Sequence, residues 1–216
     1  MGADVEREKQ LVAQAAADLV EDGMRVGLGT GSTAARFVEA LAARKLDLRC
    51  VATSPATEEL AKAIGLRLEP YTGADALPRL DIAFDGADQV APDRWVVKGG
   101  GGAHTREKIV AAAAERFVVM VSSEKLVERV RPPIPVELAA FGLTATLARL
   151  ESVRLRDAAP TPDGGVLADW VGDVGDPAAL AARLAATPGV VDHGLFPPQL
   201  VAEVLVGRGA DVVRLS

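Results

Sequence analysis

The chain is poor in the residues that staple or metallate a fold. Its one cysteine, Cys50, excludes a disulfide within the chain, which fits a reducing cytoplasm as its location. Its two histidines form no cluster, and no ligand-rich set of carboxylates accompanies them, so no metal site is expected. Nowhere does an apolar run reach the roughly 18 residues that a membrane-spanning helix needs, so no membrane association is expected. Met1 to Arg25 is charged and amphipathic rather than an apolar export signal. Excess positive charge is lacking too. The net charge is −6 and the isoelectric point is near 5.1, against the basic stripe of a nucleic-acid binder. An acidic average still leaves room for an anionic substrate, because a few local cations serve one phosphate. Neither an internal repeat nor a low-complexity tract is present.

What is there suits an ordinary globular chain, 49% hydrophobic and 25% charged over 216 residues. That length suggests one large domain or two small ones and buries a sizeable core without staples. Helices are expected at Glu6 to Val20, Thr33 to Arg44, Pro55 to Ile64 and Thr105 to Glu115, from apolar spacing and stop signals. Between them lie short apolar runs that read as strands: Met24 to Leu28, Leu48 to Ala52, Leu66 to Leu68, Asp81 to Phe84, Arg94 to Val97 and Phe117 to Val121. Cys50, inside one of these, reads as a buried inert thiol. Alternation of this kind predicts a mostly parallel sheet covered on both faces, with ligand loops at the carboxyl ends of its strands. Pro132, Pro133 and Pro135 read as a linker or domain entry. Beyond them, helices at Phe141 to Leu150 and Pro177 to Ala186, with strands at Val153 to Leu155, Val166 to Trp170 and Val190–Val191, make a small α+β module. Val201 to Val206 and Asp211 to Leu215 are expected to return to the large sheet. The division is therefore 1–130 plus 203–216 for an α/β domain and 131–202 for the small one.

Four segments carry chemistry. In Gly27-Leu28-Gly29-Thr30-Gly31-Ser32-Thr33, glycines let the backbone approach an anion, hydroxyls add donors and a helix start follows. The same residues also read as a tight turn with Ser32 or Thr33 as helix cap. Gly29, Gly31 and Ala34 fit a dinucleotide fingerprint too, but the second strand ends Ala52-Thr53-Ser54, without the carboxylate that reading wants. No lysine follows the glycines, so the loop is not a Walker motif. Asp85-Gly86-Ala87-Asp88 places two carboxylates at a strand end, for proton transfer or sugar hydroxyls, or for turn capping. Lys98-Gly99-Gly100-Gly101-Gly102 joins a strand directly to a helix. Four glycines are costly to order, which suggests close approach to a ligand. Glu107 follows as a first-turn carboxylate, and His104 reads as a solvated loop histidine. Lys125 follows the strongest strand, either as a ligand-facing cation or as a surface lysine.

Taken together, these segments resemble the type A ribose-5-phosphate isomerase family. Val26 to Ala34, Asp85 to Asp88, Lys98 to Gly101 with Thr105-Arg106-Glu107-Lys108, and Lys125 carry the likeness. Pro135-Val136-Glu137, Pro188 to Val191 and Gly194-Leu195-Phe196 extend it along nearly the whole chain. Gln89 stands where the family usually has glutamate, and His104 where an apolar residue is usual. The resemblance implies a Rossmann-like, mostly parallel sheet domain with a smaller ferredoxin-like α+β domain. It implies interconversion of D-ribose 5-phosphate and D-ribulose 5-phosphate through a cis-enediolate, in the non-oxidative branch of the pentose phosphate pathway, with no cofactor. Glu107, Asp85 and Lys98 would be catalytic. Thr30, Gly31, Ser32, Thr33, Asp85, Gly86, Ala87, Asp88, Lys98, Gly99, Gly100, Gly101 and Lys125 would bind substrate, and Lys9 also matches a position able to reach the phosphate. A homodimer or homotetramer is implied. Two other readings remain: a non-catalytic sugar-phosphate sensor and a nicotinamide-dependent oxidoreductase.

Overall fold

The computed structural model describes residues 2–215 and divides into two compact units: 1–87, 106–126 and 199–216 in the first, and 88–105 and 127–198 in the second. The first unit is built on a six-stranded sheet in the order Asp211–Leu215, Glu203–Arg208, Ala114–Ser122, Leu80–Asp85, Arg25–Leu28, Arg49–Ala52. Every neighbouring pair runs parallel except the hairpin of the last two strands in sequence. Both C-terminal strands thus return to the large sheet, as expected. The run Leu66 to Leu68 does not become a strand. It contributes one bridge, Cys50 to Leu68, held by backbone hydrogen bonds from the Cys50 amide to Arg67 and from the Glu69 amide to Cys50.

Helices cover the sheet on both faces, and the strand Arg25–Leu28 shows why. Side chains alternate along a strand. Val26 and Leu28 join the core formed by Val12, Ala16, Phe37 and Leu41, from the helices Gly2–Ala17 and Ser32–Ala43. Phe37 also stacks on Phe84 of the next strand, ring centroids 4.4 Å apart. Gly27 points the other way, where a Cβ would come within 2.6 Å of Val110 in the helix His104–Ala113. That helix lies so close to the sheet only because Gly27 has no side chain.

Cys50 is fully buried in the same core, and burial pushes its thiol up to about 12. The reactive species is the thiolate. The native protein is therefore expected to resist alkylation by iodoacetamide at pH 8 and to label fully in denaturant. Native labelling at the rate of a free thiol would contradict this burial.

The second unit is antiparallel. Its four-stranded sheet runs in the order Val190–His193, Ile134–Leu138, Val166–Trp170, Val153–Leu155. With the helices Leu143–Leu150 and Pro177–Ala185, the chain order is strand, helix, strand, strand, helix, strand, the split βαβ pattern of ferredoxin-like folds. Asp176 caps the second helix through the Ala178 amide, and Pro177 occupies its first turn. Of the prolines read as a linker or domain entry, Pro132 and Pro133 precede the sheet, and Pro135 lies within one of its inner strands. Ile134 to Leu138 is buried throughout, and the Pro135 carbonyl accepts from the Gly194 amide at 2.7 Å. A three-stranded antiparallel ribbon of Leu195–Phe196, Val96–Val97 and Gln89–Val90 completes the unit.

Candidate active site

The first unit gathers its candidate residues along the carboxyl edge of the parallel sheet. Thr30 to Thr33 follow the strand Arg25–Leu28, Asp85 ends the adjacent strand, and the 3-10 turn Ser123–Lys125 follows the next one over. Asp85 is only 2% exposed. Its Oδ1 accepts from the amides of Thr30 at 3.0 Å and Gly86 at 2.7 Å. Gly29 makes room for it, since a Cβ there would lie 2.6 Å from the Asp85 Cβ and closer still to its carboxyl carbon. Much of the glycine pattern in this loop therefore serves close approach, of a helix at Gly27 and of a carboxylate at Gly29.

The helix Ser32–Ala43 starts one residue earlier than expected, and neither Ser32 nor Thr33 caps it. Gly31 is the cap residue, with φ 104°, and no side chain accepts from the first turn. An uncapped start presents amide donors and the positive end of the helix dipole. Thr30 is braced by a 2.7 Å hydrogen bond between its hydroxyl and that of Thr53, and the Thr57 hydroxyl donates to the Gly29 carbonyl at 2.8 Å. In the sequence Thr53 stands out only as a strand end without a carboxylate, and no local pattern marks this bracing role.

Glu107 is 5% exposed in the first turn of the helix His104–Ala113. This helix runs into the strand Ala114–Ser122, so it is antiparallel to the strands and its start points to their carboxyl edge. Val110 fixes the helix over Gly27. Glu107, three residues earlier, then lies about 4.5 Å nearer the edge. Lys125 is half-buried, with its Nζ 3.3 Å from Glu124. Its turn is tied down by Glu8, a buried carboxylate absent from the sequence reading. Glu8 accepts from the Ser123 amide at 2.8 Å, the Ser123 hydroxyl at 2.9 Å and the Gly209 amide at 2.8 Å. These bonds, the Gly209 amide foremost, hold its carboxyl below the usual range. Lys9 pairs with Glu6 at 2.7 Å.

The second unit holds Asp88, Lys98 and the glycines that follow. The Lys98 side chain is buried, its Nζ 5.6 Å from the centre of the Phe196 ring, within reach of a cation–π attraction. Asp88 accepts from the Gly100 amide at 2.8 Å. Among the described residues, no three His, Cys, Asp or Glu side chains form a group able to hold a metal ion.

One residue differs from expectation, and two others take roles that the sequence does not mark. His104 is 0% exposed rather than solvated, and a Cβ on Gly99, which has φ 107°, would lie 2.6 Å from its Nδ1. Gln89 donates to the Arg131 carbonyl at 2.8 Å and accepts from the Arg131 amide at 2.9 Å. A carboxylate supplies no donor, so this two-way clasp suits glutamine over glutamate. Thr161 donates to the buried Glu137 at 2.7 Å, and Glu137 also accepts from the Thr105 hydroxyl at the start of the helix that carries Glu107.

Comparison with known proteins is consistent along the chain. A model of the family described as ribose 5-phosphate isomerase A (phosphoriboisomerase A) matches residues 49–211, and one of the DeoR C terminal sensor domain matches residues 4–66. A protein named ribose-5-phosphate isomerase A from Caulobacter sp. (strain K31) is 45% identical over 96% of this chain and 97% of its own length. The solved ribose 5-phosphate isomerase A of Methanocaldococcus jannaschii is 35% identical, with a TM-score of 0.89 over 97% of this chain and 98% of that one. A D-ribose-5-phosphate isomerase solved in complex with phospho-erythronic acid is 31% identical, with a TM-score of 0.91 over 98% and 99%.

Proposed function

The chain belongs to the ribose 5-phosphate isomerase A family, and we propose that it interconverts D-ribose 5-phosphate and D-ribulose 5-phosphate without a cofactor. The observation that carries this reading is the shared carboxyl edge of the first unit. An uncapped helix start, a buried and hydrogen-bonded carboxylate and a lysine-bearing turn follow three adjacent parallel strands there. An anion-accepting loop beside acid–base groups suits a phosphorylated sugar.

In the proposed mechanism, the phosphate binds the Thr30 to Thr33 loop and Lys125, and this binding energy positions the reacting carbons. Asp85 opens the furanose by moving a proton between the anomeric hydroxyl and the ring oxygen. Gly86, Ala87 and Asp88 line the pocket, with Asp88 orienting hydroxyls. Glu107 removes the C2 proton, leaving a cis-enediolate, and returns a proton to C1 as O1 and O2 exchange carbonyl and hydroxyl character. Lys98 and glycine-loop N–H groups other than that of Gly100, which Asp88 holds, stabilise the enediolate oxygen, with Gly99, Gly100 and Gly101 lining the pocket. The buried single cysteine fits a cytoplasmic enzyme. A homodimer or homotetramer would cover apolar surface of the second unit such as Phe141, which is 96% exposed.

The experiment is a coupled assay for ribulose 5-phosphate formed from ribose 5-phosphate, with and without prior exhaustive chelation. Turnover is expected to persist undiminished after chelation. Loss of turnover in chelator, restored by one divalent ion, would sink the metal-free mechanism. The match of residues 4–66 to a sensor domain favours one other reading, a non-catalytic sugar-phosphate binder. That segment contains the Gly29 to Thr33 loop but neither Asp85 nor Glu107, and binding of ribose 5-phosphate without turnover would favour it.

A further inference from the structure

The four-glycine loop is gripped from one side by an arginine that the proposed mechanism leaves unused. Arg156 lies 57 residues from Gly99 in sequence, just past the short strand Val153–Leu155. Its Nη1 donates to the carbonyls of Gly99 at 2.8 Å and Gly100 at 3.2 Å. Its other face is locked by the carboxylate of Asp169, through Nε at 3.0 Å and Nη2 at 2.7 Å. Asp169 is buried in the strand Val166–Trp170. The guanidinium is therefore an extension of the small sheet, and its position is set before any ligand arrives.

Peptide planarity turns this grip into an aiming device. In a trans peptide the carbonyl and the following N–H point in opposite directions. With the Gly99 carbonyl on Arg156, the Gly100 N–H must point away from it, and it does so onto Asp88 at 2.8 Å. With the Gly100 carbonyl on the same guanidinium, the Gly101 N–H must also point away. Among the described residues, the Gly101 amide donates to no protein acceptor, and a Cβ on Gly101 would meet nothing within 4 Å. Two successive N–H groups on one side of a loop make an anion-binding concavity. A cation on the carbonyl side polarises both peptides and strengthens them as donors. Glycines left to themselves would sample many orientations.

We propose that Arg156, held by Asp169, is a positioning residue that fixes the Gly99–Gly101 loop so that the Gly101 amide is presented to the enediolate oxygen. The proposal rests on the isomerase reading above. Arg156→Lys keeps the charge, but one ammonium cannot hold Asp169 bidentately and both carbonyls at once. Removing a donor to a developing oxyanion costs about 10²–10³ in rate, and mis-aiming one costs a part of that. For Arg156→Lys and Asp169→Asn, kcat is therefore expected to fall by about 10–100-fold, with KM for ribose 5-phosphate and inhibition by inorganic phosphate nearly unchanged. Inhibition by phospho-erythronic acid, whose carboxylate stands in for the enediolate, should weaken along with kcat.

Parental turnover of ribose 5-phosphate checks the underlying reading separately, and without it the proposal falls too. If the parent turns over and both variants keep kcat within about two-fold, the proposal is overturned. It is equally overturned if inorganic phosphate inhibition weakens as much as that by phospho-erythronic acid, because a general loosening of the fold would do that. Should Arg156→Lys fail to fold, Asp169→Asn, which keeps the size and one acceptor, decides alone.

Discussion

Replacing Glu107 with glutamine is expected to lower kcat by about 10²–10⁴-fold while leaving inhibition by inorganic phosphate close to the parent's. Glutamine keeps the size of the side chain and most of its hydrogen bonding but cannot accept the C2 proton. Glu107 is almost fully buried and lies in the first turn of its helix. A carboxylate there would also be present if its only duty were to favour the helix dipole. That duty contributes about 0.3–1 kcal/mol to stability and nothing to the chemical step. The two explanations therefore separate in what they change: thermal midpoint for the structural role, kcat for the catalytic one. Solvent deuterium exchange at substrate C2 isolates the step in question. A variant that keeps more than about a tenth of the parental kcat, or exchanges C2 hydrogen at the parental rate, would mean that another group is the base.

The parallel sheet was legible because short apolar runs alternate with helices at fixed points along the sequence. Arg25–Leu28, Arg49–Ala52, Leu80–Asp85 and Ala114–Ser122 all form close to where the pattern puts them. Its failures have physical causes. Leu66 to Leu68 looks like a strand but makes a single isolated bridge, Cys50 to Leu68. The strand Ile134–Leu138 contains Pro135, which propensity assigns to edges and linkers. Burial of all five residues outweighs that preference. Ser32 follows a glycine and precedes a helical run, as a capping residue should. Gly31, with its positive φ, takes the cap position itself and leaves the helix start open.

The candidate residues were legible in their types, and their supports were not. Asp85, Glu107 and Lys98 announce themselves as charges beside glycines or strand ends. The groups that fix them do not. Arg156 acts on glycines 57 residues away, and Glu8 on a turn 115 residues away. No local pattern marks an arginine as a backbone clamp or a helix glutamate as an anchor. His104 was misread for a related reason. Next to four glycines it looks solvated, yet the left-handed turn at Gly99 folds the loop over its ring.

Gly29→Ala is expected to be the most damaging single-methyl addition in the chain's glycine loops, with kcat/KM reduced by at least about 10²-fold. The added Cβ would lie 2.6 Å from the Asp85 Cβ and nearer to its carboxyl group, so something must move. The Gly29 backbone is held on both sides, its amide donating to Phe84 at 2.9 Å and its carbonyl accepting from Thr57 at 2.8 Å. Asp85 is pinned in the sheet through its pairing with Val119. The movable part is the Asp85 carboxylate, which would give up its bonds from Thr30 and Gly86. Hydrogen bonds to a charged group contribute about 1.5–3 kcal/mol each, so a fall in thermal midpoint should accompany the loss of activity. Gly23→Ala, outside the loops that carry the site, is the control. It strains a backbone at φ 81° but enters open space, and such strain costs about 1–3 kcal/mol without displacing a carboxylate. If Gly29→Ala acts through Asp85, the two changes must be non-additive. Adding it to Asp85→Asn should then lower kcat/KM by no more than about two- to three-fold further. Full multiplicative losses in the double variant, or a Gly29→Ala protein with more than a third of parental activity, would show that the glycine does not guard the Asp85 carboxylate.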